Sequence, residues 1–309
     1  IPMFAELTDE EKEYIVENLE LYSLLLPAMA LIFLFDYLPL YGITIAFQDY
    51  SPAVPIFSSA AKWVGFKHFI NFVNGPYFLR LLSNTLRLSV TQLVFGFGVP
   101  ICLALVLNDL RARYFKKFVQ TASYMPYFIS SVVVSGMVLS FINADGVVTK
   151  LCNMLGYSVK DISMAPEAFT AVYVITNIWK GFGFSSILYL STLSSIDAEM
   201  YSAARIDGAT RWQQMMHISL PSIKPVIAIQ LILSIGGLLS SNSEMILLLY
   251  NSAVYKTADV FGTYVYRYGL LGGKYSFTTA VGLFTNIINF ILVFVANRIS
   301  RRMLEFSLW

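Results

Sequence analysis

The 309 residues are 57% hydrophobic and only 13% charged, with 21 Lys and Arg against 19 Asp and Glu. A soluble domain carries roughly 25% charged residues, and a mean hydropathy of +0.64 places the chain in the membrane-embedded class. The net charge of +2 gives no footing for a nucleic acid. Cys102 and Cys152 supply neither a disulfide framework nor metal-ligand spacing. His68 and His217 lie far apart without a second ligand and read as ordinary surface groups.

Taken in chain order, Thr8-Asp9-Glu10-Glu11 has the form of a capping box ahead of an acidic amphipathic helix over 9–20. Residues 1–20 are therefore expected to form a surface-lying N-terminal segment. Six later stretches are apolar and long enough to cross a hydrocarbon core of about 30 Å. They lie near 21–43, 83–107, 118–142, 168–192, 222–248 and 277–297. The predicted fold is thus all-α and integral to the membrane, with a six-helix domain over 21–297 and a tail over 298–309.

Lys and Arg in short loops set orientation. Residues 108–117 carry Arg111, Arg113, Lys116 and Lys117, and the tail carries Arg298, Arg301 and Arg302. The opposite loops are longer and less densely basic. Both termini and the loop 193–221 are therefore expected in the cytoplasm. The outer loops 44–82 and 249–276 are rich in Trp, Tyr and Phe. These aromatics read equally well as interfacial anchors or as a docking surface for an external protein.

The loop 193–221 is polar and punctuated by helix caps. Ser194, Ser195 and Asp197 are candidate N-caps for a helix over 198–206, and Gly208 suits the left-handed position after it. Thr210-Arg211-Trp212-Gln213 is a second capping box, and Leu220-Pro221 is expected to stop the second helix before the fifth span. The result is a knob of two short helices meeting at a glycine. An amphipathic interfacial loop is the plainer reading, but the spacing Ala203-Ala204-x3-Gly208-x9-Ile218-x-Leu220-Pro221 argues for more.

That spacing resembles the coupling motif of permease subunits in type I, binding-protein-dependent ABC importers, in their maltose-type carbohydrate-uptake group. Further likeness lies in Tyr37-x-Pro39-x-Tyr41-Gly42-x3-Ala46-Phe47-x-Asp49-Tyr50 and in Trp63-Val64-Gly65-Phe66-x2-Phe69, which resemble the subgroup importing complex oligosaccharides. The resemblance covers nearly the whole chain. It implies the type I permease fold in a bacterial plasma membrane, with a cytoplasmic coupling loop between helices 4 and 5. Ser202, Ala203, Ala204, Asp207, Gly208, Ile218, Leu220 and Pro221 would meet the ATPase. The family's usual Glu before the two alanines is Ser202 here, which removes one charged contact. Implied partners are a homologous second permease, two cytosolic ATPase subunits, an extracellular solute-binding protein, a carbohydrate and membrane lipid. No cofactor is expected in this chain, ATP and Mg being bound by the ATPase subunits. Gly272-Gly273-Lys274 lacks the remaining elements of a phosphate loop and is a decoy.

Polar groups inside spans are costly facing lipid and mark transport paths. Gln120, Ser123, Tyr124, Tyr127, Ser131 and Ser135 recur as one stripe of the third span. Asn177, Lys180, Gly181 and Phe184 share a face of the fourth. In the fifth, Ser240-Ser241-Asn242-Ser243-Glu244 follows Gly236-Gly237 and would wrap the whole helix, so the helix unwinds there or is enclosed by protein. Helix-on-helix packing is the plainer role for such residues, and for Asn286 and Asn289 it weighs equally. The resemblance places sugar contacts near Trp179-x-Gly181-Phe182 and after Gly237. The candidate solute set is therefore Tyr127, Asn177, Lys180, Gly181, Phe184, Ser241, Asn242 and Glu244. Lys180 either pairs with Glu244 or faces the solute. Asp36 and Arg87 lie nearer span ends and are expected to snorkel or cap. The expected activity is inward carbohydrate transport without bond chemistry. The alternatives are the same fold moving a non-sugar solute, or an integral-membrane enzyme, for which no catalytic His/Asp/Glu cluster stands out.

Overall fold

A computed structural model describes residues 18–303; most of the stretch 9–20, expected from the sequence to be an acidic helix, and the last residues of the tail lie outside them. The described backbone is helical, with one isolated antiparallel bridge between Gln48 and Trp63. Helix α1, Leu19–Ile32, runs on through a π segment, Phe33–Tyr37, and a 3-10 segment, Leu38–Phe47, with Pro39 near its start. The first apolar element is therefore longer than the expected 21–43. Phe47 closes it by accepting from the backbone of Val64 and of Gly65, and Gly65 takes the left-handed conformation (φ 58°) that such a turn requires.

Next come α2, Lys67–Val73, and α3, Phe78–Asp109. The expected third span is not one helix. It divides into α4, Arg113–Tyr124, a 3-10 turn over Met125–Phe128, and α5, Ser131–Ile142. Pro126 lies in the turn and Ser130 caps α5, accepting from Val133 N, so a break falls where proline removes a backbone donor. The stripe from Gln120 to Ser135 is accordingly split between two helices. Arg113, Lys116 and Lys117 lie in the first turns of α4 rather than in a loop.

After α6, Val147–Met154, helix α7 spans Phe169–Ser194 and packs along α3 over most of its length. The loop helices are α8, Ala198–Ile206, and α9, Arg211–Gln214, followed by a π turn, Met215–Ser219. Leu220-Pro221 does not stop this helix. Pro221 sits in the first turn of α10, Leu220–Gly236, where its missing N–H matters least, and the helix continues with a bend of 57°. It breaks after Gly236-Gly237, as the glycine pair suggests, and resumes as α11, Ser243–Leu249. The chain closes with α12, Tyr255–Ala258, α13, Phe261–Val265, and α14, Tyr275–Met303.

Among the described residues, four helices are long and apolar enough to cross a membrane, or five if the bent pair counts as one span. Apolar side chains meet in three places. Ala104, Leu107, Tyr189, Leu193 and Ile223 join α3, α7 and α10 at the end bearing the 193–221 loop. Leu88, Val134, Tyr173, Met245 and Ile246 join α3, α5, α7 and α11 toward the other end. Phe72, Leu81, Phe261 and Val281 hold α2, α3, α13 and α14 together. His68 is not a surface group: it is buried, its Nε2 lying 3.0 Å from Gln48 O and 3.2 Å from Asp49 Oδ1.

Candidate functional site

A cavity of about 610 Å³ opens between α3, α7 and the broken α10–α11 helix. Its wall is made by the break. Unwinding frees backbone donors that need new partners, and two side chains supply them. Leu239 N donates to Asn289 Oδ1 (3.0 Å), and Asn242 N donates to the Tyr173 hydroxyl (3.2 Å). Asn289 Nδ2 also donates to Ser240 Oγ (2.7 Å), so this asparagine props the break from α14 and has the packing role. Asn242 caps α11 through its side-chain oxygen and donates from Nδ2 to Asn177 Oδ1 at 3.0 Å.

The lining is uncharged and mixes amides and hydroxyls with apolar side chains such as Leu93, Phe97 and Leu188. Ser89 and Gln92 come from α3, Tyr173, Asn177 and Phe184 from α7, and Gln230, Ser241 and Asn242 from the broken helix. Ser89 Oγ, Gln92 Oε1 and Ser241 Oγ are buried with no hydrogen-bond partner among the described residues. Leaving such an atom unsatisfied costs about 1–3 kcal/mol. Gly96 leaves room for the Gln92 amide, since a Cβ there would overlap its Nε2.

Phe184 adds an aromatic wall and stacks flat on Tyr127, with ring centroids 3.9 Å apart and 3° between planes. Gly183 permits this, because a Cβ there would strike the Ser123 carbonyl where α7 crosses α4 backbone to backbone. Of the expected solute residues, Asn177, Phe184, Ser241 and Asn242 line the cavity, and Tyr127 backs Phe184. Lys180, Gly181 and Glu244 do not line it. Lys180 Nζ donates to Ser131 Oγ at 3.1 Å, and Glu244 is exposed, so the expected alternative of a Lys180–Glu244 pair is not formed. Ser89, Gln92 and Gln230 escaped the sequence reading. Gln230 is an isolated polar group inside an apolar run, whereas Thr85, Ser89 and Gln92 recur at four- and three-residue steps along α3, a stripe that is legible in the sequence.

The loop forms the expected knob. Asp197 caps α8, accepting from Glu199 N at 2.9 Å, and Gly208 adopts φ 78° between the helices. Thr210 and Gln213 close a reciprocal capping box. Ser202 accepts from Arg205 Nη2 at 3.0 Å and donates to Ala198 O, so its hydroxyl serves the helix itself. The knob is tied to its own subunit by Tyr201 OH against Ser219 Oγ (2.9 Å) and by Arg211 with Asp109 (3.4 Å). Ala203, Asp207 and Gly208 are exposed and Ser202 and Ala204 half-buried, while Ile206 and Trp212 are 87% and 66% exposed. Ile218, Leu220 and Pro221 are half-buried in the continuing helix.

At the opposite end, Asp259 is fully buried and accepts from Arg80 Nη2 (3.0 Å), Arg267 Nη2 (2.8 Å) and Thr263 Oγ1 (2.9 Å). Arg267 also lies over the Tyr255 ring at 4.8 Å. Burial disfavours its charge, but the Asp259 carboxylate outweighs that and holds the guanidinium pKa above its ordinary value. Asp49, bonded by Lys67 Nζ at 3.0 Å, has its carboxyl pKa lowered, chiefly by that hydrogen bond.

Residues 76–305 match the family described as "Binding-protein-dependent transport system inner membrane component". The chain is 42% identical over 289 residues to the polygalacturonan/rhamnogalacturonan transport system permease protein YteP of Bacillus subtilis (strain 168), covering 93% of this chain and 89% of that protein. A chain from the crystal structure of a bacterial ABC transporter involved in import of the acidic polysaccharide alginate is 39% identical. It superposes with a TM-score of 0.85 over 96% of this chain and 99% of that one. A second structure, of the alginate transporter in complex with alginate pentasaccharide-bound periplasmic protein, gives a TM-score of 0.86 at the same identity and coverage. With a family match over most of its length and a helical fold that superposes on a solved importer, the chain belongs to the inner membrane components of binding-protein-dependent transport systems.

Proposed function

We propose that this chain is a permease subunit that carries an oligosaccharide inward through the cavity between α3, α7 and the broken helix, by alternating access driven by separate ATPase subunits. The observation that carries this reading is the lining: uncharged, with the amides of Gln92, Asn177, Gln230 and Asn242 and several hydroxyls set beside apolar side chains and an aromatic wall at Phe184. Sugars present many hydroxyls and apolar ring faces, which such a wall complements without requiring a fixed charge. The relatives' sugar polymers, alginate among them, support the same substrate class.

In this reading the six spans are the α1 element, α3, α4–α5, α7, α10–α11 and α14. The knob over 197–214 faces the cytoplasm and couples to an ATPase, and its exposed Ile206 and Trp212 give it an apolar docking surface. A homologous second permease completes the path in a bacterial plasma membrane, and an external binding protein delivers the sugar. The test is ATP-dependent uptake by the complete importer in proteoliposomes, across neutral and uronate oligosaccharides. Saturable uptake of one sugar class is expected. Uptake of an amino acid with no sugar transported would overturn the assignment.

A further inference from the structure

A second cavity, of about 550 Å³, opens at the end of the molecule that bears the knob. The last turn of α3 lines it with Asp109, the turn between α3 and α4 with Arg111, and the knob with Arg205 and Arg211. Arg211 lies 3.4 Å from Asp109, and Arg205 donates to Ser202 Oγ and to the Tyr201 carbonyl. No hydrogen bond or ion pair of Arg111 is formed among the described residues. All three arginines are exposed, so each is free to meet a ligand from outside. Three guanidinium groups around one carboxylate leave the concavity positive, and such a surface gathers anions. The planar guanidinium fork matches phosphate oxygens in particular.

The rest of the lining narrows the ligand. Leu105, Leu110 and Met215 border the same cavity, so a molecule that fills it carries an apolar part beside its anionic group. Position narrows it further. Helix α4 begins at Arg113, and its Tyr114, Phe115 and Phe118 are 91%, 54% and 69% exposed. Exposed aromatics at the end of a membrane-entering helix sit at the lipid boundary. Arg111 precedes Tyr114 by three residues, at most about 11 Å of chain. The headgroup layer on one side of a bilayer is about 5–8 Å deep, so Arg111 stands at headgroup level. Lipid supplies phosphate and hydrocarbon together at that depth, which a dissolved phosphate does not.

We infer that this cavity binds the phosphate headgroup of an anionic phospholipid of the cytoplasmic leaflet, with Arg111 and the knob's Arg205 and Arg211 as its donors. This rests on the reading above that the knob faces the cytoplasm and couples to an ATPase, and it adds a regulator of that coupling. Basic pockets beside membrane helices on the cytoplasmic side hold such headgroups on general electrostatic grounds. Arg111 belongs to the turn after α3, and Arg205 and Arg211 belong to the knob. A phosphate held by both braces the knob against α3, the helix that brings Ser89 and Gln92 to the transport cavity.

The test places the complete importer in nanodiscs of phosphatidylcholine, with or without phosphatidylglycerol. Two quantities are read: ATP hydrolysis stimulated by the sugar-loaded binding protein, and phosphatidylglycerol retained by the complex in native mass spectrometry. For the parent, phosphatidylglycerol should raise stimulated hydrolysis at least threefold and remain bound. Arg111→Gln should lose both effects. Lys117→Gln, which removes an exposed charge of α4 outside the cavity, should keep them. Equal hydrolysis in the two membranes with no retained lipid would overturn the inference. Equal losses in the two variants would do so too, since diffuse surface charge would then suffice. Restoration by inorganic phosphate or glycerol phosphate in phosphatidylcholine alone would reassign the cavity to a soluble ligand. Loss of the ATPase subunits from the Arg111→Gln complex would make it a protein contact instead. An importer with no stimulated hydrolysis in either membrane would fail the transport reading, and the lipid retained by parent and variants would still decide this inference.

Discussion

Arg80 donates a 3.0 Å hydrogen bond to Asp259, joining the first turn of α3 to the segment between α12 and α13. Arg267 grips the same carboxylate oxygen at 2.8 Å, and Asn84 fastens the Asp259 carbonyl from the next turn of α3. The carboxylate is wholly buried, so it is stable only because its partners meet it there. Removing one partner of a buried pair is far more damaging than never having built it. Asp259→Leu should lower the stability of the purified complex by on the order of 3 kcal/mol, the lower end for buried pairs because Arg80 is partly exposed. Arg80→Met should cost less, since Arg267 and Thr263 still hold the acid. Thermal unfolding of the two variants checks the ranking, and an unchanged midpoint for Asp259→Leu would refute it.

Gln92 allows solute binding to be separated from folding. Its Oε1 is buried and unpartnered, so Gln92→Met removes no protein hydrogen bond and relieves a desolvated acceptor. Stability should stay within about 0.5 kcal/mol of the parent or rise. If the amide serves the transported sugar, KM or the uptake rate should worsen tenfold or more. Normal transport kinetics in a stable Gln92→Met importer would exclude the amide from the path.

At the knob, Gly208→Val places a β-branched residue at φ 78°, where no neighbouring atom would clash with a Cβ. The penalty is therefore backbone strain of about 1–2 kcal/mol, felt between α8 and α9 rather than in the membrane. Ala204→Asp puts a carboxylate on a half-buried position of α8. Both variants should reach the membrane at parental levels yet lose transport-linked ATP hydrolysis. Intact coupling in both would remove the knob from the ATPase interface.

Lys180 donates to Ser131 Oγ at 3.1 Å and tethers α7 to the first turn of α5. Glu244→Gln should therefore give no rescue of Lys180→Met, as Glu244 is not its partner. Ser131→Ala should reproduce part of any Lys180→Met defect, on the order of 1 kcal/mol. Thermal unfolding of the double variants decides the matter, and rescue by Glu244→Gln would reinstate an acid–base pair.

Asp49 supplies a pH dependence. Its carboxyl pKa is lowered in the folded protein, first by the Lys67 hydrogen bond. The unfolded chain thus binds the proton more readily, and the stabilisation is complete above the unfolded value near 3.8. It drains as pH falls through the lower folded value. Between about pH 5 and about pH 3, the parent should lose more thermal stability than Asp49→Asn. Parallel losses would show that the ion pair contributes nothing.

Several features depend on chemistry carried by nearby residues, and the sequence alone determined them. Gly208 and the Thr210–Gln213 capping box specify the two-helix knob, because backbone freedom at a glycine and a side chain reaching three residues onward are local properties. Gly236-Gly237 marks the break in the fifth apolar run for the same reason. Hydropathy likewise located α3, α7 and α14 near 83–107, 168–192 and 277–297, whereas the third and fifth apolar runs are broken. What only the tertiary structure decided involves partners distant in sequence. Asn289 props the break from α14, Tyr173 meets the freed Asn242 N–H, and Arg80 finds Asp259. Nothing in the spacing of those residues links them, since each pairing is set by how whole helices pack. The continuation of the helix through Leu220-Pro221 belongs with these. A proline in a first helical turn and one just past a helix end look alike in sequence, and the buried Ile223 packed among Ala104, Tyr189 and Leu193 shows which of the two this chain adopts.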